Sequence, residues 1–324
     1  MFERLLLLWL CLLGLLAYFW AQLMPGIWDP FLASQSVLHY LFAVTMFALG
    51  SLLPKEEIAI VFRRWPTVLG GTAVQYTVMP FLGWSMAWLF GLDEGARIGV
   101  IIVGCVPGAM ASNVLTMVAR GNVSYSVSIT TSSTLLSPIV VPFGLWLCLG
   151  RHVDFPIGQV SCELAWMVAL PVVAGQLLSR YYLTWQRLAG RFAGLVANLS
   201  ILWIISVVVA CNRQYLMQID ARLFWALLAV NILGYIGGWS GAYLMGLPSP
   251  MRRALTLEVG MQNAGLGTIL AMNVFGDYPT ATIPPAIYTF GCVFTGTILA
   301  RCWAEYSNRG QGPEVRDQGT ADRG

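Results

Sequence analysis

A succession of long apolar segments is the feature that most constrains the fold of this 324-residue chain. Each segment is near the length of about 20 residues that a helix needs to cross the hydrocarbon core of a bilayer. Only 10% of the residues are charged, against roughly 25% in soluble globular proteins. We therefore predict an all-α integral membrane protein with ten transmembrane helices in the lipid bilayer. The predicted spans are Leu5–Leu23, Gln35–Leu53, Trp65–Phe90, Gly95–Val118, Val123–Leu149, Gly158–Ser179, Gly194–Cys211, Leu223–Met245, Ser249–Phe275 and Ile283–Tyr306.

The two ends of the chain need separate interpretations. Leu5–Leu23 follows a short charged start and so resembles a signal peptide. It is longer than a typical hydrophobic region of such a peptide and lacks a small-x-small cleavage site, so we interpret it as the first span. Residues 307–324 are polar and rich in Gly and Arg, which predicts a disordered cytoplasmic tail.

The basic residues predict the orientation of the spans. If the N-terminus is cytoplasmic, fourteen of the eighteen lysines and arginines fall in the inside segments. Cytoplasmic loops of membrane proteins carry such an excess of positive charge, so both termini are predicted in the cytoplasm. Ten spans with cytoplasmic ends fit a bacterial inner membrane.

Several function classes are disfavoured by composition. The formal charge of +3 is too small to suggest a nucleic-acid partner. The seven cysteines are scattered, without C-x-x-C spacing, and two histidines are too few to build a zinc or haem site with them. A membrane-embedded hydrolase or transferase would need a second carboxylate, a nucleophile–base pair or a metal motif beside Glu258, and none is recognisable.

Glu258 is the acidic residue that lies deepest in the predicted membrane. It sits about nine residues past Ser249, or ~13 Å along a helix, near the bilayer midplane. A charge at that depth costs at least ~2.5 kcal/mol, so it needs a partner, a bound cation or water. Gly260 and Gly265 invite a break in the helix, which would free backbone carbonyls beside the carboxylate. The alternative is a protonated glutamate that is hydrogen-bonded between helices.

Three other spans contain polar groups. Pro107 and Gly108 predict an opening of the fourth span just before Ser112 and Asn113, although a simple proline kink is the alternative. The fifth span holds nine hydroxyl residues between Ser124 and Ser137. Many of these hydroxyls can bond their own backbone, but two of them lie four residues apart on one face and offer oxygens to a hard cation. These two residues are Ser126 and Thr130. In the third span, Gln75 is either a sodium ligand or a partner in a helix–helix hydrogen bond.

The ten spans divide at the loop 150–156 into two halves of five. Because five is odd, the halves would face opposite ways, as in transporters built from inverted repeats. We predict a first repeat at residues 1–150 and a second at 151–306. The broken fourth span and the ninth, with Glu258, occupy matching positions, which points to a binding site at the midplane.

Two motifs resemble those of a known family. The first is Pro107-Gly108…Ala111-Ser112-Asn113-Val114…Ala119-Arg120-Gly121-Asn122-Val123 with Ser132–Pro138, and the second is Glu258-Val259-Gly260-Met261-Gln262-Asn263. On these motifs the chain resembles the bile acid:sodium symporter family over essentially its whole length. The resemblance implies a core domain in which the broken fourth and ninth helices cross, and a panel domain of the first, second, sixth and seventh spans.

The resemblance also implies two sodium ions and their ligands. Asn263, Ala109 and Met110 would face the substrate cavity. The family commonly has Gly then Thr at the positions of Ala109 and Met110, so this chain departs from the family pattern on the substrate side and keeps the sodium ligands. The implied first site is Ser112, Asn113, Ser126, Thr130 and Glu258; the implied second site is Gln75, Glu258, Met261 and Gln262 with the carbonyl of Val259.

The sequence therefore predicts a sodium-coupled secondary transporter of a small or amphipathic organic anion. The family's substrates include bile acids, pantoate-like hydroxy acids and oxo acids, and the sequence does not choose among them. Two alternatives stay open. One is a proton-coupled transporter that uses Glu258, and the other is a sensor that keeps the fold and binds a ligand without transport.

Overall fold

The computed structural model describes residues 6–53, 63–150, 156–216 and 220–309, and within these ranges the chain is helical with short connections. Two helices are interrupted, and we label their halves a and b. The helices are α1 (Leu6–Leu23), α2 (Pro30–Ser51), α3 (Trp65–Leu89), α4a (Glu94–Cys105), α4b (Ala111–Val118), α5 (Val123–Leu149), α6 (Ile157–Tyr181), α7 (Leu183–Cys211), α8 (Ala221–Leu244), α9a (Ser249–Gly260), α9b (Ala264–Val274) and α10 (Ile283–Arg309).

Each predicted apolar segment contains a helix or two half-helices. Among the described residues, six helices are long and apolar enough to cross a membrane by length and composition, namely α2, α5, α6, α7, α8 and α10 with its preceding turn. The chain therefore has the character of a helical integral membrane protein. Both predicted breaks are confirmed, because α4 is interrupted between Cys105 and Ala111 and α9 between Gly260 and Ala264.

Helix starts follow from short polar side chains. Asn122 accepts a hydrogen bond from the backbone N–H of Tyr125 at 2.9 Å and caps α5. Asp29, Asp93 and Asp220 cap α2, α4a and α8 in the same way. Side-chain oxygens at these positions bond amides that have no partner inside the helix, so each cap fixes where a helix enters.

The start of α7 differs from the sequence prediction. The span was predicted from Gly194, whereas the helix begins at Leu183. Arg187 and Arg191 lower the hydropathy of the first turns, but both are exposed while Ala189 is buried on another face. Amphipathic turns of this kind extend a helix beyond its apolar length, which a hydropathy prediction misses.

The C-terminal end also differs from the prediction. The tail was expected from residue 307, but α10 continues to Arg309. The rest of the predicted tail, residues 310–324, lies outside the described residues, as does most of the loop that was predicted to separate the two halves.

One group of helices consists of α1, α2, α6 and α7. In this group α2 packs on both α6 and α7, and α7 packs on α1. Gly50 in α2 lies so close to the backbone of Val172 in α6 that a Cβ would overlap it, and Gly175 approaches α2 equally closely. Ala189 and Ala193 give α7 a stripe of small residues against α2. Small residues let helices approach closely in lipid, where hydrophobic burial contributes little to their association.

The second group contains α3, α4, α5, α8, α9 and α10. A Cβ added to either Gly83 in α3 or Gly104 in α4a would lie 3.3 Å from the Cα of the other. Gly234 in α8 faces Gly260 at the end of α9a in the same manner. These contacts bring α3 and α8 directly against the interrupted helices, so the two breaks are buried in protein rather than exposed to lipid.

Candidate functional site

The breaks in α4 and α9 pair with each other through their backbones. The N–H of Ala109 donates to the carbonyl of Met261 at 2.7 Å, and the N–H of Asn263 donates to the carbonyl of Pro107 at 2.8 Å. The pairing is antiparallel, so the two interrupted helices cross at this point. We call this region the crossing. Backbone groups freed by the two breaks satisfy each other there, which makes irregular backbone tolerable inside a membrane.

Gly108 lets a carboxylate reach the crossing. A Cβ at this position would overlap the Oε1 atom of Glu258 and would lie 3.3 Å from Nε2 of Gln75. The side chain of Glu258 is fully buried. Any residue other than glycine would therefore displace Glu258 from the crossing, which gives the Pro107-Gly108 motif a steric role as well as a helix-breaking one.

Two hydroxyls hold the carboxylate of Glu258. Ser112 in α4b donates to its Oε2 atom, and Thr130 in α5 donates to its Oε1 atom at 2.7 Å. Both donors are neutral, so they orient the carboxylate without neutralising its charge. The charge comes from α9a while the hydroxyls come from two other helices, and the site exists only when all three are packed together.

The remaining predicted ligands of the first site lie in the same cluster. The hydroxyl of Thr130, which donates to Glu258, also lies 3.3 Å from Oδ1 of Asn113 and 3.0 Å from the backbone carbonyl of Ser126. The side-chain hydroxyl of Ser126 accepts from Thr116 at 3.2 Å. The five residues predicted for the first site are therefore neighbours in space, although they come from three helices.

Other hydroxyls of α5 bond their own helix, as one of the sequence interpretations allowed. Ser128 donates to the carbonyl of Ser124 at 2.8 Å, and Ser137 donates to that of Thr134 at 2.7 Å. Such bonds satisfy a hydroxyl in lipid without any ligand. Within α5, Thr130 differs because it also reaches Glu258.

The residues predicted for the second site lie on the adjoining side of the crossing. The Nε2 atom of Gln75 is 3.4 Å from Oε1 of Gln262, whose own Nε2 donates to the carbonyl of Val259 at 3.0 Å. The Oε1 atom of Gln75 is buried and has no hydrogen-bond partner among the described residues. A buried acceptor without a partner costs ~1–3 kcal/mol, so this oxygen is a point where a cation would be stabilising.

Met261 can contribute to the second site only through its backbone. Its carbonyl accepts the 2.7 Å hydrogen bond from Ala109, which leaves one lone pair. Its side chain points to α10, where a Cβ on Gly296 would lie 2.9 Å from the sulfur.

The residues predicted to face the substrate lie at the starts of the second half-helices. Asn263 caps α9b, because its Oδ1 atom accepts from the N–H of Leu266 at 3.1 Å. Ala109 and Met110 precede α4b and are half-buried. The sulfur of Met110 is 3.7 Å from Nδ2 of Asn113, so the thioether lies beside the first set of candidate ligands.

The chemistry of this cluster suits a hard cation. Its polar atoms are a carboxylate, carboxamide oxygens, hydroxyls and backbone carbonyls at the end of a half-helix, and oxygen ligands of this kind are preferred by hard cations. The described residues contain no group of three His, Cys, Asp or Glu side chains that could hold a metal ion. The crossing therefore fits an alkali cation better than a transition metal.

Sequence reasoning missed several polar residues around the crossing. Thr116 lies inside the first motif, between its quoted parts, and was assigned no role, although its hydroxyl bonds Ser126. On the side of α9a that faces away from Glu258, Asn231 and Tyr288 both donate to the carbonyl of Gly260 at 2.8 Å. Asn231 interrupts the apolar run of the eighth span as Gln75 interrupts that of the third, and this parallel was the signal that could have revealed it.

Comparison with known proteins agrees with these features. Residues 39–219 match the Sodium Bile acid symporter family. YocS of Bacillus subtilis, described as an uncharacterized sodium-dependent transporter, is 33% identical over 271 residues, 84% of this chain and 84% of that protein. The probable chloroplastic sodium/metabolite cotransporter BASS1 of Arabidopsis thaliana is 27% identical over 260 residues, 80% of this chain and 65% of that protein. The ileal sodium/bile acid cotransporter of Oryctolagus cuniculus is 28% identical over 299 residues, 88% of this chain and 85% of that protein.

The match spans more than half of the chain, and a relative above 30% identity covers most of it. The resemblance inferred from the two motifs is thereby confirmed. Sodium is the co-transported ion that this membership implies, and transport rather than enzymatic catalysis fits the relatives. The chain belongs to the sodium bile acid symporter family of membrane transporters.

Proposed function

We propose that this protein is a sodium symporter that takes up an organic anion by alternating access. The observation that carries the proposal is the buried carboxylate of Glu258 at the crossing, held by hydroxyls of two other helices. A charge in that position is costly unless a cation compensates it. The partnerless oxygen of Gln75 on the adjoining side supports the same conclusion.

Two sodium ions would bind behind the crossing. Ser112 and Thr130 now donate to Glu258, but their hydroxyls can turn and present lone pairs to an ion. The C-terminal end of α9a adds carbonyls with partial negative charge. The first site comprises Ser112, Asn113, Ser126, Thr130 and Glu258; the second comprises Gln75, Glu258 and Gln262 with the carbonyls of Val259 and Met261.

The anion would bind on the other side of the crossing. The half-helices α4b and α9b both start there, and the positive ends of their dipoles suit an anionic group without a buried lysine or arginine. Ala109, Met110 and Asn263 would line this cavity. Relatives are named for bile acids and for metabolites. We propose bile acids, pantoate-like hydroxy acids and oxo acids as the substrate classes to test.

The movement would occur between the two packing groups of helices. The group of α1, α2, α6 and α7 would form the panel, and the group that holds the crossing would form the core. Matching breaks in the fourth and ninth of ten spans support two inverted repeats, 1–150 and 151–306. The excess of basic residues in alternate loops supports cytoplasmic termini in a bacterial inner membrane.

The membrane potential would contribute to uptake. If two sodium ions enter with one monoanion, one net positive charge moves inward. A potential of 100 mV then contributes about 2.3 kcal/mol.

Two alternatives use the same residues. Glu258 could carry a proton instead of coordinating sodium, in which case uptake would follow a pH gradient. A protein with Met110 beside the candidate ligands could also bind its ligand without transport. The family relationship to sodium-dependent transporters favours symport over both.

Uptake into proteoliposomes tests the proposal. The purified protein would be reconstituted and offered radiolabelled pantoate, an oxo acid and a bile acid under an inward sodium gradient, a potassium gradient or a pH gradient. We expect uptake of at least one anion with sodium only, and its loss in Glu258→Gln. Uptake that follows the pH gradient and ignores sodium would support the proton-coupled alternative instead.

A further inference from the structure

The end of α9a presents different chemistry on its two sides. Glu258 and Gly260 are two residues apart, so at about 100° per residue they point to nearly opposite faces of the helix. Glu258 faces α4b and α5, as its hydrogen bonds to Ser112 and Thr130 show. Gly260 faces α8, where a Cβ would overlap the ring of Tyr235.

The carbonyl of Gly260 is one of the carbonyls that the break in α9 frees from the helix. It receives two hydrogen bonds at 2.8 Å, one from Nδ2 of Asn231 in α8 and one from the hydroxyl of Tyr288 in α10. Asn231 and Tyr288 are both 2% exposed. Carbonyls at the end of a half-helix are potential cation ligands, and this one is fully engaged on the side away from Glu258.

The surrounding groups satisfy one another. Oδ1 of Asn231 accepts from the hydroxyl of Thr295 at 2.7 Å, and Nδ2 of Asn231 is also 3.4 Å from the hydroxyl of Tyr288. Tyr235 lies at the edge of this group. Its hydroxyl is 3.1 Å from the hydroxyl of Thr295 and 3.2 Å from the carbonyl of Cys292, and it does not bond Gly260. We call Asn231, Tyr288, Thr295 and the Gly260 carbonyl the carbonyl clamp. No buried side-chain polar atom of the clamp lacks a partner.

We infer that Asn231 and Tyr288 are positioning residues for cation binding, because they fix the peptide that joins α9a to the crossing. By holding the Gly260 carbonyl toward α8 and α10, they leave the carbonyls of Val259 and Met261 to face Gln262 and Ala109. Asn231 and Tyr288, which lie on the side of α9a away from Glu258, therefore determine which backbone carbonyls line the second candidate site. This inference rests on the proposed function, since it concerns the affinity of the same site.

Tyr288→Phe tests this inference, with Tyr235→Phe as the matched control. Each removes one buried hydroxyl from the same region, but only Tyr288 bonds the Gly260 carbonyl. We expect Tyr288→Phe to raise the sodium concentration for half-maximal thermal stabilisation and for half-maximal uptake by about three- to tenfold. Its uptake rate at saturating sodium should stay near that of the wild type, and its preference for sodium over lithium should weaken. Tyr235→Phe should match the wild type in all four measurements.

The outcomes separate this inference from the proposed function. A wild-type protein without any sodium response would overturn both. A wild-type sodium response with Tyr288→Phe indistinguishable from Tyr235→Phe would overturn the inference alone. If Tyr288→Phe cannot be purified as a folded protein, Asn231→Ser supplies the second variant. The inference then requires Asn231→Ser to lose sodium affinity, and an unchanged affinity would contradict it.

Discussion

The two sides of the broken ninth helix differ in how their polar groups are satisfied. On one side, the carbonyl clamp pairs every donor with an acceptor, so it needs nothing from outside the protein. On the other, a carboxylate and carboxamides meet neutral hydroxyls, and one buried amide oxygen has no partner among the described residues. Buried polar groups in a membrane therefore indicate an ion site when acceptors are in excess, and a structural role when the hydrogen bonds close among themselves.

Adding a side chain at Gly108 should have the largest effect on this contrast. In Gly108→Ala, the new Cβ overlaps the carboxylate of Glu258 and displaces it. We expect sodium affinity to fall by more than about tenfold, since overpacking costs ~1–3 kcal/mol. Sodium-dependent thermal stabilisation measures this loss. Gly190→Ala in α7 is the control, because a Cβ there meets nothing within 4 Å. Equal sodium responses of the two variants would contradict the steric role of Gly108.

Apolar replacement of one carboxamide on each side should affect the stability of the sodium-free protein differently. Gln75→Leu removes the partnerless oxygen together with the long 3.4 Å contact to Gln262, so the sodium-free protein should stay within ~1 kcal/mol of the wild type while its sodium response weakens. Asn231→Leu leaves the Gly260 carbonyl without an amide donor, so it should lose ~1–3 kcal/mol already in potassium, and its weakened sodium affinity should enlarge the loss in sodium. Thermal unfolding of both variants in sodium and in potassium measures the difference. Equal destabilisation by the two changes in potassium would remove the distinction between the two sides.

A smaller effect is expected at the rim of the first candidate site. Thr116→Val removes the hydroxyl that bonds the side chain of Ser126. Because Thr116 touches a ligand rather than the ion, sodium affinity should fall only about two- to threefold. A sodium titration of uptake measures this shift. Thr297→Val removes a hydroxyl that bonds only the backbone of α10 and should leave the titration unchanged.

Sequence patterns predicted the helices well because hydropathy records what lies in lipid. They placed both breaks, since Pro107 with Gly108 and Gly260 with Gly265 weaken helices at those points. They missed the first turns of α7, whose exposed arginines hide an alanine stripe that packs on α2. Hydropathy averages polarity over a local segment, so it does not predict packing against a helix that is distant in the sequence.

Some residues of the candidate site could be recognised from the sequence, and others only from the structure. Glu258 and Gln75 stood out because carboxylates and carboxamides are rare in apolar spans. The backbone pairing of Ala109 with Met261 joins residues far apart in the chain and has no sequence signature. Tyr288 was missed because a tyrosine in an apolar span is typical of packing or of an interface, and only the structure places its hydroxyl on the Gly260 carbonyl.

Sodium-specific stabilisation of the detergent-purified protein tests most directly whether the crossing binds sodium. Thermal unfolding would be followed in sodium, potassium and choline for the wild type, for Glu258→Gln and for Glu163→Gln. Glu163 is a half-buried carboxylate that accepts a hydrogen bond from Asn273, away from the crossing. Binding to the folded state should stabilise the wild type by about 2.7 kcal/mol per site at one hundred times the dissociation constant. We expect this effect with sodium alone, its retention in Glu163→Gln and its loss in Glu258→Gln. A full sodium response in Glu258→Gln, or equal stabilisation of the wild type by potassium, would contradict the assignment of the crossing as a sodium site.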